Sequence, residues 1–164
     1  MDSRIEKMAD VLINYSTRVQ PGELVLIRGT SPAAQPLMQA LTISALRAGG
    51  QPFNYVHVAD EAPIMLRWGS ESQIQLPNPM LRLMYETCPV VIRIDADENT
   101  RALTSSPAAK LKAHQHARGD WLSIQMRREA AGTLRRCSTL FPTQAFAQDA
   151  GMSLSEFVVF VFGA

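Results

Sequence analysis

The chain has 164 residues, of which 46% are hydrophobic and 19% charged, the composition of one globular domain with enough apolar material for a core. Its 16 Lys and Arg balance 15 Asp and Glu, for a formal net charge of +1, which excludes the long-range positive field that draws a protein onto nucleic acid or an anionic membrane. The start, Met1-Asp2-Ser3-Arg4-Ile5-Glu6, has neither a basic nor an apolar leader pattern, and no apolar run approaches the roughly 18 residues of a membrane span, so a cytoplasmic location is expected.

Ser3 and Glu6 have the spacing of a capping box, and Ile5, Met8, Ala9, Leu12 and Ile13 recur at helical intervals, predicting an amphipathic helix from about Arg4 to Arg18. Pro21-Gly22 is turn chemistry. The unbroken run Leu24-Val25-Leu26-Ile27 then reads as a strand covered on both faces, hence central and parallel. Ser31 and Pro32 supply an N-cap and a first helical residue, Leu37, Met38, Leu41, Ala45 and Ala48 mark one helix face, and Gly49-Gly50 ends it. A second strand is expected from Phe53 to Val58. Strand, helix, strand in one sheet implies a right-handed parallel crossover.

Short helices follow over Asp60 to Trp68 and Ser70 to Leu76, and another starts at Asn78-Pro79 and runs to about Thr87. Val90 to Ile94 forms a third strand that leads into Asp95-Ala96-Asp97-Glu98. Two helices, Pro107 to Ala117 and Asp120 to Ala131, are separated at Gly119, and Leu134 to Leu140 is a weaker strand. Thr143 caps a helix that stops at Gly151. Ser153 and Glu156 make a second capping box before Phe157-Val158-Val159-Phe160-Val161-Phe162. Six consecutive large apolar residues cannot all face one core from a single element. Leaving two exposed forgoes roughly 3 to 6 kcal/mol of burial, so this segment either packs within the domain or marks a face where something else docks. The pattern as a whole predicts one open α/β domain, Rossmann-like, with a mainly parallel sheet flanked by helices.

Few residues carry a chemical signature. Arg28-Gly29-Thr30-Ser31-Pro32 occupies the strand-to-helix turn where α/β sheets hold ligands, but it lacks the dinucleotide and P-loop glycine patterns, and capping explains Ser31 and Pro32. Asp95, Asp97 and Glu98 resemble the acidic turn of haloacid-dehalogenase-like phosphotransferases, with Asn99 where that pattern has Thr; a solvated turn is the simpler account. His114 and His116, two apart on a helix, point to different faces and cannot chelate one ion. His57 stands alone in the second strand. Cys88 and Cys137 read as reduced thiols, and Arg127-Arg128 and Arg135-Arg136 as solvated charges.

Three groups of segments, in order along nearly the whole chain, resemble the aminopeptidase T and aminopeptidase S family of dinuclear-metal aminopeptidases. They are Ile5 to Ser16 with Val19-Gln20-Pro21-Gly22 and Val25 to Gly29; Ala45 to Gly50 with Pro52 and, later, Glu98 to Leu103; and Leu140-Phe141-Pro142-Thr143 with Ala147 to Leu154. The resemblance implies a cytoplasmic, homodimeric exopeptidase that releases amino-terminal residues from peptides. It also implies two domains, with residues 1–164 as the amino-terminal one. Two divalent metal ions, zinc, cobalt or similar, would be held by two Glu, two His and an Asp of a second domain that this chain does not include. No position here matches those ligands, so no catalytic or metal-binding residue is assigned to the chain, and it is expected to be inactive alone. Asn99, Thr100 and Arg101 are the candidates for a cleft-lining surface or one facing the second domain. Two places depart from the family pattern: Arg136 follows Arg135 where a Trp is usual, and Val158 to Phe162 replaces a mixture of acidic and aromatic residues. A free-standing binding or oligomerisation module derived from such an enzyme is the alternative.

Overall fold

The computed structural model describes residues 2–163. The first helix, α1 (Ser3–Asp10), is capped one residue earlier than the spacing predicts: the Asp2 side chain accepts from the Arg4 backbone N–H at 2.9 Å. A carboxylate at Asp2 displaces the Ser3 box because it also pairs with the Arg4 guanidinium at 2.8 Å. The helix then widens into a π-helical stretch, Val11–Ser16. Both the backbone N–H and the buried hydroxyl of Thr17 donate to the Leu12 carbonyl, at 3.1 and 2.7 Å, closing that wide turn.

Next come β1 (Leu24–Gly29), a 3₁₀ turn (Pro32–Ala34), α2 (Gln35–Arg47) and β2 (Gln51–Val56). The second strand begins two residues earlier than expected, because Leu24 pairs directly with Gln51 as the chain leaves the Gly49-Gly50 turn. Beyond it lie α3 (Glu61–Trp68), α4 (Glu71–Gln75), α5 (Pro79–Thr87), β3 (Val90–Asp95), α6 (Ala108–Ala130), β4 (Arg135–Leu140), α7 (Gln144–Asp149) and α8 (Leu154–Gly163). The two helices expected on either side of Gly119 are one helix of 23 residues. A glycine weakens a helix interior but removes no hydrogen bond, so neighbouring packing overrides it.

The four strands are all parallel, in the order β2-β1-β3-β4. In β1 and β3 alternate residues face opposite layers, and both faces are covered. Val25, Ile27, Ile92 and Ile94 pack with Ile5, Ile13, Leu37 and Leu41 from α1, the π-helical stretch and α2. Leu26 and Val91 pack on the other side with Leu81, Tyr85, Trp121 and Ile124 from α5 and α6. This is why those strands read as unbroken apolar runs. The order reverses between β1 and β3, so the crevice outside their carboxyl ends is the position at which open α/β sheets receive ligands.

At the far end of the chain the Ser153–Glu156 box forms as predicted, with the Ser153 N–H donating to Glu156 at 2.9 Å. Of the six apolar residues that follow, Phe157 is buried, Phe162 stacks edge-on against Phe141, and Val159 and Phe160 stand 64% and 62% exposed. The two cysteines are free thiols; Cys88 is buried and Cys137 half-buried.

Candidate functional site

Two turns meet at the crevice between β1 and β3. The Thr30 N–H donates to the Ile94 carbonyl at 3.0 Å, and the Thr30 hydroxyl accepts from the Ala96 N–H at 2.9 Å. Ser31 Oγ accepts from the Ala33 N–H at 3.0 Å, the N-cap contact expected of it. Gly29 is required by a close approach: a Cβ there would lie 2.9 Å from Met38 Sδ and 3.0 Å from Ala34 Cβ. The turn therefore seats α2 and ties β1 to β3.

The acidic stretch is spread out. Asp95 pairs with Arg93 at 2.6 Å, the Asp97 carbonyl accepts from the Thr143 hydroxyl at 2.7 Å, and Glu98 accepts from the Ser31 hydroxyl at 3.4 Å. Asn99, Thr100 and Arg101 follow as an exposed turn in which Asn99 Oδ1 accepts from the Arg101 N–H at 3.0 Å. With Glu98, Ala145, Gln148 and Asp149 they line an open cleft of about 350 Å³ against α7. Among the described residues no three His, Cys, Asp or Glu side chains gather into a donor set for a metal ion. A dinuclear metal pair does not fit the side chains of these residues. His114 is half-buried and His116 exposed on α6, and they contribute to no such set.

The more organised polar cluster lies on the α5–α6 side of the same crevice; the sequence marks Arg28, in the strand-to-helix turn, and the lone His57, but not their association with Tyr85, Arg93, Arg118 and Trp121. Arg28, only 6% exposed, places its guanidinium 4.8 Å from the ring centre of Trp121, which itself stacks on Tyr85. Arg28 Nη1 donates to the Tyr85 hydroxyl at 3.4 Å and Nη2 lies 3.0 Å from His57 Nε2. Because a guanidinium only donates, Nε2 accepts, and the imidazole proton sits on Nδ1, which donates to Glu61 at 2.6 Å. His57 is thus held neutral: burial, followed by the charge of Arg28, lowers its pKa.

In the sheet Arg28 is the register partner of Tyr55 on one side and Arg93 on the other, so two arginines stand side by side on one face of adjacent strands. Arg118 comes down from α6, 5.8 Å from the Trp121 ring centre. Burial, then Arg93 and Arg28, lower the Arg118 pKa, and burial, then Arg118 and His57, lower that of His114. The sequence does hold one signal for the cluster: both central strands carry Ile-Arg at the same level, Ile27-Arg28 and Ile92-Arg93. An arginine closing a buried apolar run has to find partners or solvent there. At the other end of the sheet Arg127 is exposed, as expected, but its neighbour Arg128 and the pair Arg135-Arg136 are held by contacts within the fold. Arg128 donates to the Tyr85 and Cys88 carbonyls at 2.7 and 2.9 Å, Arg135 pairs with Glu23, and Arg136 with Glu129 at 2.6 Å. Arg128 and Arg135 are therefore anchors within the fold, in contrast to the solvated charges expected.

The sequence profile of the family described as thermophilic metalloprotease (M29) matches residues 1–164. Among solved structures, wild-type AmpT from Thermus thermophilus superposes with a TM-score of 0.77 at 15% identity, over 98% of this chain and 42% of that one. CurK enoyl reductase gives a TM-score of 0.32 at 11% identity over 84% of this chain and 60% of that one, a correspondence too loose to define a shared fold. No curated protein sequence matches the chain. The chain spans less than half the length of the AmpT chain whose fold it shares.

Proposed function

Since the chain belongs to the thermophilic metalloprotease (M29) family, we propose that it is the amino-terminal α/β domain of a metal-dependent aminopeptidase that releases amino-terminal residues from peptides. The family match over residues 1–164 carries this reading. Two divalent ions, zinc, cobalt or similar, would polarise the scissile carbonyl and supply hydroxide when bound. Their ligands would belong to another domain, a reading supported by the 42% coverage of AmpT. On this reading the present chain wall-lines the substrate cleft through the turn at Asn99, Thr100 and Arg101 and supports a homodimer in the cytoplasm. The pairing of Asp95 with Arg93 favours no phosphotransferase role.

The test is hydrolysis of an aminoacyl p-nitroanilide with added zinc or cobalt, by the 164-residue chain and by the native gene product that contains it. Hydrolysis by the native product and none by the chain is the expected result. Turnover by the chain alone would refute the division of labour, and an inactive native product would refute the peptidase assignment. Light scattering of the native product checks the homodimer.

A further inference from the structure

We propose that Arg28, Arg93 and Arg118 form a binding site for a small oxyanion, a carboxylate or phosphate group, at the carboxyl ends of β1 and β3. The inference rests on the charge balance of the cluster and is independent of the peptidase reading.

Arg28 is buried, yet among the described residues no carboxylate lies within ion-pair distance of it. Its neighbours are a neutral imidazole, a phenol and an indole face. Burying a cation without a counter-anion is costly, and the Arg28 Nε is left with no hydrogen-bond partner. Arg93, its register partner on the next strand, adds a second positive charge on the same face, an arrangement that destabilises a sheet unless something negative lies between. The Arg93 Nε is likewise buried and unpartnered. Arg93 has Asp95 as its own counter-ion, whereas Arg118 has no ion pair among the described residues. Three guanidinium groups thus converge on a region that offers two carboxylates, Asp95 and Glu61, and Glu61 reaches Arg28 only through the neutral His57 ring.

An oxyanion completes this arrangement chemically. Guanidinium N–H groups present a fixed planar fork suited to carboxylate or phosphate oxygens. The Arg93 side chain is one-third exposed and Arg118, set between the buried Ala117 and Trp121, is itself exposed, so the approach from solvent is open, while Arg28 forms the dry floor. The location is the reversal of strand order, where the sheet's own geometry leaves room for a ligand.

Trp121 touches both Arg28 and Arg118 and serves as the reporter. With the exposed Trp68 replaced by Trp68→Phe to silence its signal, the chain is titrated with inorganic phosphate and, separately, with acetate, against sodium chloride at matched ionic strength. A saturable change in Trp121 emission with either anion is expected, and the anion that produces it identifies the source as phosphate or carboxylate. Arg28→Gln removes the buried floor and threatens the fold, so Arg118→Gln carries the test: it keeps the fold, checked by its far-UV spectrum, and weakens the apparent Kd tenfold or more. No saturable response to either anion, or an unchanged Kd in Arg118→Gln, overturns the proposal.

Discussion

Arg28 Nη2 donates to His57 Nε2 at 3.0 Å, and this one contact decides where the imidazole proton lies. A second proton on His57 would have to point at the guanidinium. The folded-state pKa of His57 is accordingly below its ordinary 6.5, through burial and Arg28, against the opposing pull of Glu61. The unfolded chain therefore binds this proton first as the pH falls. Stability is complete above about 6.5 and declines from there down to the lowered folded-state value. The urea midpoint should drop between pH 7.5 and 5.5, and the drop should shrink in His57→Gln. His114, lowered by burial and then by Arg118 and His57, accounts for part of what remains. An identical drop in both proteins would show that His57 is not the titrating group.

Gly119 lies inside α6 with open space around the position of an added Cβ. Gly119→Ala should raise stability by about 0.5–1 kcal/mol by restricting the unfolded chain and solvating the helix backbone less. A denaturation midpoint that falls would indicate that the helix needs a bend there.

Gly50 gives the opposite expectation. A Cβ would stand 2.7 Å from Val19 Cγ1 and 3.3 Å from the Ala45 carbonyl oxygen. Val19 is buried and β-branched, so it cannot swing aside. Gly50→Ala should cost about 1–3 kcal/mol, measured by urea unfolding.

Arg128 holds the carboxyl end of α5 by donating to the carbonyls of Tyr85 and Cys88, and reaches the Thr133 carbonyl at 2.8 Å. Arg128→Met leaves these acceptors without their charged donor and should cost about 2–3 kcal/mol. Arg128→Lys should recover only a minor share, since one ammonium cannot span three carbonyls at those positions. Full recovery by Lys would mean that charge alone matters.

Much of the fold was legible because its central strands are buried on both faces: Val25 to Ile27 and Val90 to Ile92 announce themselves as apolar runs, and Ser31, Asn78 and Thr143 cap the helices where expected. Gly119 misled because its weak local preference is outweighed by packing of Trp121 and Ile124. The Asn99–Arg101 turn was reached through family resemblance alone, since its residues carry no chemical signature of their own. The Arg28 cluster was harder to see. Tyr85, Arg93, Arg118 and Trp121 come from three separate elements, and His57 from the segment just past the end of β2 rather than from the strand in which it was expected; only the strand register and the seating of α5 and α6 bring them to Arg28.

The all-parallel sheet also fixes the order in which the chain can assemble. No hairpin is available to start it, so each strand pair must close a crossover before it gains a hydrogen bond. The β1–β2 register partners, from Leu24 with Gln51 to Gly29 with Val56, are the nearest in sequence, joined by a crossover of only α2 and its flanking turns, whereas Val25 must wait for Val90. The β1–α2–β2 unit is thus the natural folding nucleus, and β3 and β4 dock onto it later. Substitutions in α2 should slow refolding, while those in β4 should chiefly hasten unfolding.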